Sequence, residues 1–366
     1  MTLPLRDPPP LPRVDEAALA PYGWGPAFRE ALSAYSALSA PGGGGDEVGR
    51  ISAEHQGAFL VRLAEGELPA KVPGRLRRAI AHGDADRPTV GDWVVVDRPG
   101  GSARIRAVLP RRTRIARKVA GDQLALQVLA ANVDVALLVS SLDRDLSPRR
   151  LERYLALALD GGVAPVVLLT KADLCPDPGP AIAAVRAVAP DAPIHLLSSL
   201  TGEGLDAIDP YCADARTAVL LGSSGVGKST LLNRLLGADV QVTGELGADG
   251  KGRHTTTHRQ LFRTPSGGLL IDTPGMRELG LWEAGAGVRG AFADIEEIAG
   301  SCRFRDCRHE GEPGCAVAGA VASGALDPVR LQSFQNLQGE AEGAARRRSE
   351  RVGGKALQTA SRPKGR

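Results

Sequence analysis

The chain has 366 residues, 43% hydrophobic and 24% charged, with 45 glycines and only 4% aromatics. Those are the proportions of an ordinary globular protein long enough for two or three domains, and they exclude a disordered or fibrous chain. Net charge is +3, no apolar run reaches membrane-spanning length, and the proline-rich start MTLPLRDPPPLPRVDE lacks the apolar centre of a signal peptide. Five cysteines, three of them within fourteen residues, fit a cytoplasmic protein with a metal site better than a secreted disulfide scaffold.

In chain order, residues 1–47 read as a flexible N-terminal extension, with prolines first and the hinge-like PGGGGDE last. Residues 48–118 contain short alternating segments between glycine and proline breaks, such as GRISAEHQGAFLVRL, TVGDWVVVDR and ARIRAVLPR, and these predict a small β-barrel. Its end is basic: Arg104, Arg106, Arg111, Arg112, Arg114, Arg117 and Lys118, preceded by Lys71, Arg75, Arg77 and Arg78. Residues 119–286 alternate near-continuous apolar runs with helical segments such as RRLERYLALALDGG, as a parallel sheet covered on both faces does. Residues 287–340 hold a cysteine cluster, and 341–366 form a basic tail.

The string GSSGVGKST, Gly222 to Thr230, fits G-x-x-x-x-G-K-[ST]. It follows the apolar run TAVLL and opens the helical STLLNRLL, which is the strand–loop–helix setting a phosphate loop needs and a bare glycine-rich turn lacks. Backbone amides from Gly222, Ser223, Ser224, Gly225, Val226 and Gly227 would face the phosphates, Lys228 would bridge the terminal ones, and Ser229 beside Thr230 would ligate Mg²⁺. Downstream, DTPG offers Asp272 to Mg²⁺ through water and the Gly275 N–H to a γ-phosphate. Upstream lies TKAD: Thr170, Lys171, Ala172 and Asp173. The Asp173 carboxylate can accept from both N–H donors on guanine's edge, while Lys171 lies against the ring. Thr170 stands where this motif commonly has an asparagine. The loop SSLTGEGL would add an N–H from Ser198 or Ser199 to the guanine carbonyl.

Most guanine-nucleotide switches place the phosphate loop first and the base-reading motif last. Here the order is reversed, which points to a circularly permuted GTPase. Between the phosphate loop and DTPG, KGRHTTTHR reads as a switch segment in which one of Thr255, Thr256 or Thr257, with Thr256 favoured, completes the Mg²⁺ shell. Met276 takes the place of a water-orienting glutamine, so slow hydrolysis is expected. His254 is the internal candidate for the missing group, with a surface or RNA-contacting role equally open. Cys302, Cys307, His309 and Cys315, spaced C-x4-C-x-H-x5-C, would make a closed tetrahedral zinc site.

Taken in sequence, TKAD, SSLTGEGL, GSSGVGKST, KGRHTTTHR, DTPGMREL and the cysteine cluster closely resemble the ribosome small-subunit-dependent GTPase A family. The resemblance covers about residues 48–320. It implies a multidomain α/β protein with an N-terminal OB-fold barrel, a circularly permuted P-loop GTPase domain and a C-terminal zinc-binding domain with a helical tail. It further implies GTP and GDP, Mg²⁺ and one Zn²⁺ per chain as ligands, and the small (30S) ribosomal subunit with its rRNA as partner. Family members act late in small-subunit maturation, and the subunit stimulates their GTP hydrolysis. A monomer without membrane attachment is expected. A P-loop ATPase or nucleotide kinase, or an RNA-binding module with a structural nucleotide, would be the alternatives.

Overall fold

The computed structural model describes residues 11–38, 45–55, 57–98, 103–118, 126–143, 145–237, 259–273 and 285–343. Five strands, β1 (Glu47–His55), β2 (Ala58–Leu63), β3 (Gly66–Lys71), β4 (Trp93–Asp97) and β5 (Ala103–Val108), close in the order β1-β2-β3-β5-β4-β1. The one parallel contact in that ring joins β3 to β5. This is the closed five-stranded barrel of an OB-fold. Phe59, Val61, Leu63, Val94, Val96 and Ile105 point inward and are buried.

β1 belongs to two structures at once. Its first half pairs with β4 (Glu47↔Val96 to Arg50↔Trp93). Between Ile51 and Ala53 the register against β2 slips. Beyond that bulge, Ala53 and Glu54 pair with Gln260 and Arg259 of β12 (Arg259–Arg263). An extra residue bends a strand and sharpens its twist, and here the bend carries β1 out of the barrel and onto the next sheet.

That sheet adds β8 (Val135–Ser141), β9 (Ala164–Thr170), β10 (Ile194–Leu196), β11 (Thr217–Gly222) and β13 (Leu269–Asp272) in the order β10-β9-β8-β11-β13-β12. All neighbouring pairs are parallel except β13 with β12. Every residue of β8 is buried, as the unbroken apolar run requires when both faces are covered. A basic two-stranded hairpin, β6 (Arg114–Lys118) with β7 (Leu126–Ala131), lies between barrel and sheet in the chain.

Ten α-helices accompany the strands among the described residues: α1 (Glu16–Leu19), α2 (Pro26–Leu38), α3 (Gly74–His82), α4 (Pro148–Asp160), α5 (Gly179–Val188), α6 (Lys228–Leu236), α7 (Gly285–Ala291), α8 (Ala293–Ala299), α9 (Ala316–Ala322) and α10 (328–343). α4 starts with Ser147 and Pro148 and ends at Gly161, the expected punctuation of a helix. α7 packs so closely on α4 that a Cβ on Gly287 would lie 2.1 Å from the Ala156 carbonyl oxygen. Further down, Arg330 of α10 is buried and donates to Asp294 of α8 at 2.6 Å and to Glu152 of α4 at 3.2 Å. The C-terminal helices are therefore fastened to α4, the helix that follows β8.

Two expectations are corrected. Residues 11–38, within the segment expected to be a flexible extension, form α1 and α2 and bury Leu19, Trp24, Phe28 and Leu32 against Trp93 and Val95. The physical cause is the run WVVV: Val94 and Val96 face the barrel interior, leaving Trp93 and Val95 on the outside in need of cover. Trp24 stacks edge-on to Trp93 with ring centroids 4.8 Å apart. The helix α10 likewise continues two residues past 341, where the tail was expected to begin, with Ala341 buried. Residues 344–366 lie outside the described residues. If α1 and α2 are integral, Trp24→Ala should cost about 3 kcal/mol of stability, measured as a lower midpoint in guanidinium unfolding, and a loss under 0.5 kcal/mol would mark the helices as an appendage.

Candidate nucleotide site and metal cluster

Parallel pairing puts the carboxyl ends of β8, β9, β10, β11 and β13 along one edge, where open α/β sheets bind ligands. Register fixes the alignment: Ser141 sits opposite Thr170, Leu196 opposite Leu169, Gly222 opposite Val139 and Leu220 opposite Asp272. TKAD, SSLTGEGL, the phosphate loop and Asp272 thus converge, although their order along the chain is rotated.

The phosphate loop leaves β11 and enters α6 at Lys228. Gly225 and Gly227 have φ of +87° and +96°, a region closed to most side chains, and this turns successive amides toward one point. The Lys228 Nζ donates to the Gly222 carbonyl at 2.7 Å and to that of Ser223. Burial lowers its pKa to about 8, with Asp272 and Asp145 opposing the shift, so the ammonium form prevails at pH 7. Ser229 lies in the first turn of α6. Asp272 is buried at the end of β13, and Thr273 beside it donates to the Leu220 carbonyl at 3.0 Å, tying this strand end to the phosphate-loop strand.

The substitution at the head of TKAD has a structural answer. Thr170 is buried, and its hydroxyl donates to the Val226 carbonyl in the phosphate loop at 2.7 Å. This bond braces the TKAD turn against the phosphate loop and is worth about 1 kcal/mol. Lys171 adopts φ +60°, and the chain then turns through Ala172–Leu174, leaving Asp173 exposed. The Ala172 amide donates to the Leu197 carbonyl at 3.2 Å, joining this turn to the neighbouring loop. There Ser198 closes the turn by accepting from the Thr201 amide at 3.2 Å. The Ser199 hydroxyl is buried with no hydrogen-bond partner among the described residues.

Three residues that the motifs do not name complete the frame. Asp143 accepts from Lys171 Nζ at 2.6 Å and from the Ser141 hydroxyl at 2.6 Å. Partial burial would raise its pKa, but these hydrogen bonds and the lysine charge hold it at about 2. Two residues on, Asp145 accepts from the phosphate-loop Ser223 hydroxyl at 3.1 Å. Arg234 on α6 donates to the carbonyls of Ser199 and Leu200 at 2.9 and 3.0 Å. The loop after β8 and the helix after the phosphate loop therefore tie the TKAD and SSLTGEGL loops to the phosphate loop. The SSLDRD string was the only sequence trace of the first, and nothing in the RLL context of Arg234 marked the second. His254, Thr256, Gly275 and Met276 lie outside the described residues.

Cys302, Cys307, His309 and Cys315 come together as expected, with all ligand atoms within 4.8 Å of one another. Cys302 Sγ is 3.7 Å from His309 Nδ1 and 4.0 Å from Cys315 Sγ, and His309 Nδ1 is 3.4 Å from Cys315 Sγ. The edges of a tetrahedral zinc site with ordinary bond lengths are about 3.5 to 3.8 Å, so the cluster has the dimensions of a four-coordinate metal site. The Ala318 amide at the start of α9 donates to Cys315 Sγ at 3.3 Å, and Gln335 of α10 donates to the His309 carbonyl at 3.0 Å, the outer contacts that orient ligands.

A six-stranded sheet with its phosphate loop on a central strand, its base-reading loops on the strands to one side and its metal-competent aspartate on the other is the sheet of a P-loop GTPase. With the base-reading half moved ahead of the phosphate loop, the permuted version of that class is what this chain folds into. A family model described as RsgA GTPase matches residues 108–282. The small ribosomal subunit biogenesis GTPase RsgA of Opitutus terrae is 49% identical over 310 residues, covering 81% of this chain and 84% of the relative. Its counterpart in Streptomyces coelicolor is 45% identical over 333 residues, covering 89% and 87%. Among solved structures, YjeQ from Thermotoga maritima superposes with a TM-score of 0.60 at 26% identity, covering 81% of this chain and 99% of that one. YloQ, described as a circularly permuted GTPase, superposes with a TM-score of 0.58 at 26% identity, covering 82% and 96%. The chain belongs to the RsgA GTPase family.

Asp143 holds the Lys171 ammonium, so if Lys171 lies against a guanine base as the TKAD motif leads one to expect, Asp143→Asn should weaken GDP binding about tenfold, the value of one charge-assisted hydrogen bond, by speeding dissociation. Stopped-flow release of a fluorescent GDP analogue checks this, and an unchanged dissociation rate would refute the positioning role.

Proposed function

We propose that this protein is a slow GTPase that binds the small (30S) ribosomal subunit and its rRNA and assists late maturation of that subunit. The subunit stimulates hydrolysis, and hydrolysis drives release. The observation that carries this reading is the β1–β12 pairing, which makes the barrel and the guanine-nucleotide sheet one continuous structure. The RsgA relatives' names support the small subunit as target.

In this reading the working division is 48–118 for RNA, 119–286 for nucleotide and 287–340 for metal. Phosphates rest on the amides of residues 222–227, with Lys228 at the terminal pair. Ser229, Asp272 and Thr256 would hold Mg²⁺, which supplies positive charge to the phosphate oxygens when bound. Gly275 senses the γ-phosphate, and His254 orients the attacking water, since Met276 cannot hydrogen-bond to it. Asp173 and Lys171, with a backbone N–H of Ser198 or Ser199, select guanine. The cysteine–histidine cluster takes one Zn²⁺ per chain and leaves no open position for chemistry. The protein works as a cytoplasmic monomer. Among the described residues no helix is long and apolar enough to cross a membrane.

The barrel's charge supports RNA in a narrower way than its arginine count suggests. Arg104 and Arg106 pair with Asp97, and Arg111 is buried against Asp92 at 2.8 Å. Arg75, Arg77 and Arg78 on α3, with Arg112 and Arg114, remain exposed. With few aromatics for stacking, backbone and shape are read in preference to base sequence.

Multiple-turnover GTP hydrolysis, measured with and without purified small subunits, tests the proposal. We expect low basal turnover, stimulation of at least about tenfold by the subunit, and competition by GDP but not by ADP. His254→Ala should abolish the stimulation while leaving GDP affinity intact. Equal turnover with and without subunits would refute the reading.

A further inference from the structure

The loop after β8 brings two carboxylates to the nucleotide edge, and they are held differently. Asp143 accepts from Lys171 and from the Ser141 hydroxyl. Asp145 is divided between two elements. Its Oδ2 accepts from the Ser223 hydroxyl at 3.1 Å, while its Oδ1 accepts from the Arg150 guanidinium at 2.8 Å. The same guanidinium also donates to the Asp145 carbonyl. Ser223 is the second residue of the phosphate loop, and its carbonyl, with that of Gly222, accepts from the Lys228 ammonium. A single residue therefore stands between the Asp145 carboxylate and the ammonium expected to meet the phosphates.

A carboxylate in that place works against a phosphate ligand, because like charges repel strongly where water screens them poorly. The side chains of Asp145 and Arg150 are only 26% and 37% exposed. Arg150 balances the charge, and it does so from a position that breaks a local rule. The first turn of α4 has no acidic residue and no side-chain cap from Ser147; it carries Arg149 and Arg150 instead. Cations at a helix N-terminus oppose the macrodipole. Such a violation marks a residue kept for something other than helix stability. α4 is also pinned from behind. Glu152 accepts from the buried Arg330 of α10 at 3.2 Å, and Arg153 donates to both carboxylate oxygens of Glu340 at 2.8 and 2.6 Å. The helix thus holds Arg150 against Asp145 from a firm support.

We propose that Asp145 and Arg150 form a balanced charge pair that sets how fast nucleotide leaves the phosphate loop, Arg150 being a positioning residue that acts through Asp145. The carboxylate loosens the phosphates, and the guanidinium restrains the carboxylate. Release of GDP is then tuned within the chain, by a contact that α4 carries. This inference rests on the reading in which the phosphates of a guanine nucleotide lie on residues 222–227. A plain brace predicts something else. If Asp145 only held Ser223 in place, any change to it would loosen the loop and weaken binding. Asparagine separates the two cases, since its amide oxygen still accepts from Ser223 while the charge is gone.

The test uses the full-length protein, with stopped-flow release of a fluorescent GDP analogue and equilibrium competition by GDP and a non-hydrolysable GTP analogue. Asp145→Asn should tighten GDP binding about fivefold by slowing release, and should tighten the more highly charged GTP analogue further. Arg150→Gln should weaken both nucleotides, again the GTP analogue more, and Arg150→Lys should recover most of the loss. Both effects should shrink in about 1 M salt. Thermal melts check that each variant is folded. The inference is overturned if Asp145→Asn weakens binding, if the two variants shift affinity in the same direction, or if neither shifts it. A wild-type protein that fails to bind guanine nucleotides would overturn the phosphate-loop reading and this inference together. Wild-type binding with the wrong signs in the variants would overturn the inference alone.

Discussion

Parallel registration of β9, β8, β11 and β13 is the constraint on which everything else in this molecule depends. It requires only that like-directed strands share hydrogen bonds, and says nothing about the order in which the chain visits them. Once Ser141 lies opposite Thr170, Gly222 opposite Val139 and Leu220 opposite Asp272, the TKAD turn, the phosphate loop and Asp272 occupy one edge. Permutation costs the site nothing, because the contacts that assemble it are lateral. The Thr170 hydroxyl on the Val226 carbonyl, Asp145 on Ser223 and Arg234 on the loop of Ser199 all run across the sheet.

What permutation alters is the surroundings. The strand entering from the switch segment, β12, is left at the sheet's edge, where its open hydrogen-bonding groups would be a liability in isolation. β1 covers that edge by bending out of the barrel at its bulge. At the opposite end of the domain, α7 follows the residues after Asp272 and packs on α4, and Arg330 draws α10 onto the same helix. Barrel, sheet and C-terminal helices thus bear on one another through a few identifiable contacts.

The parts of this arrangement that the amino-acid sequence makes legible are those encoded by consecutive residues. A phosphate loop needs glycines with positive φ and a lysine at fixed offsets, and a small metal knuckle needs four ligands within a few turns, so both stand out in a string. Strands buried on both faces likewise announce themselves as unbroken apolar runs. Asp143, Asp145 and Arg234 escape because their roles exist only across strands, between residues far apart in the chain. α1 and α2 escape for a different reason: Trp24 and Phe28 sit among prolines and glycines, and their burial is dictated by Trp93, some seventy residues later in the chain. The basic run of the barrel misleads in the same way, since the carboxylates of Asp92 and Asp97 that neutralise part of it precede it in sequence.

Asp173 offers the most direct test of whether these loops grip guanine. A carboxylate there accepts from the N–H groups at guanine's N1 and C2, whereas an asparagine amide offers a donor suited to the C2 carbonyl of xanthine. Equilibrium binding of GDP and xanthosine diphosphate to the Asp173→Asn protein should show GDP affinity reduced about 100-fold and the preference reversed in favour of xanthosine. A variant that still binds GDP with wild-type affinity would contradict the account, because the base would then be held by something other than the loops that the parallel register brings together.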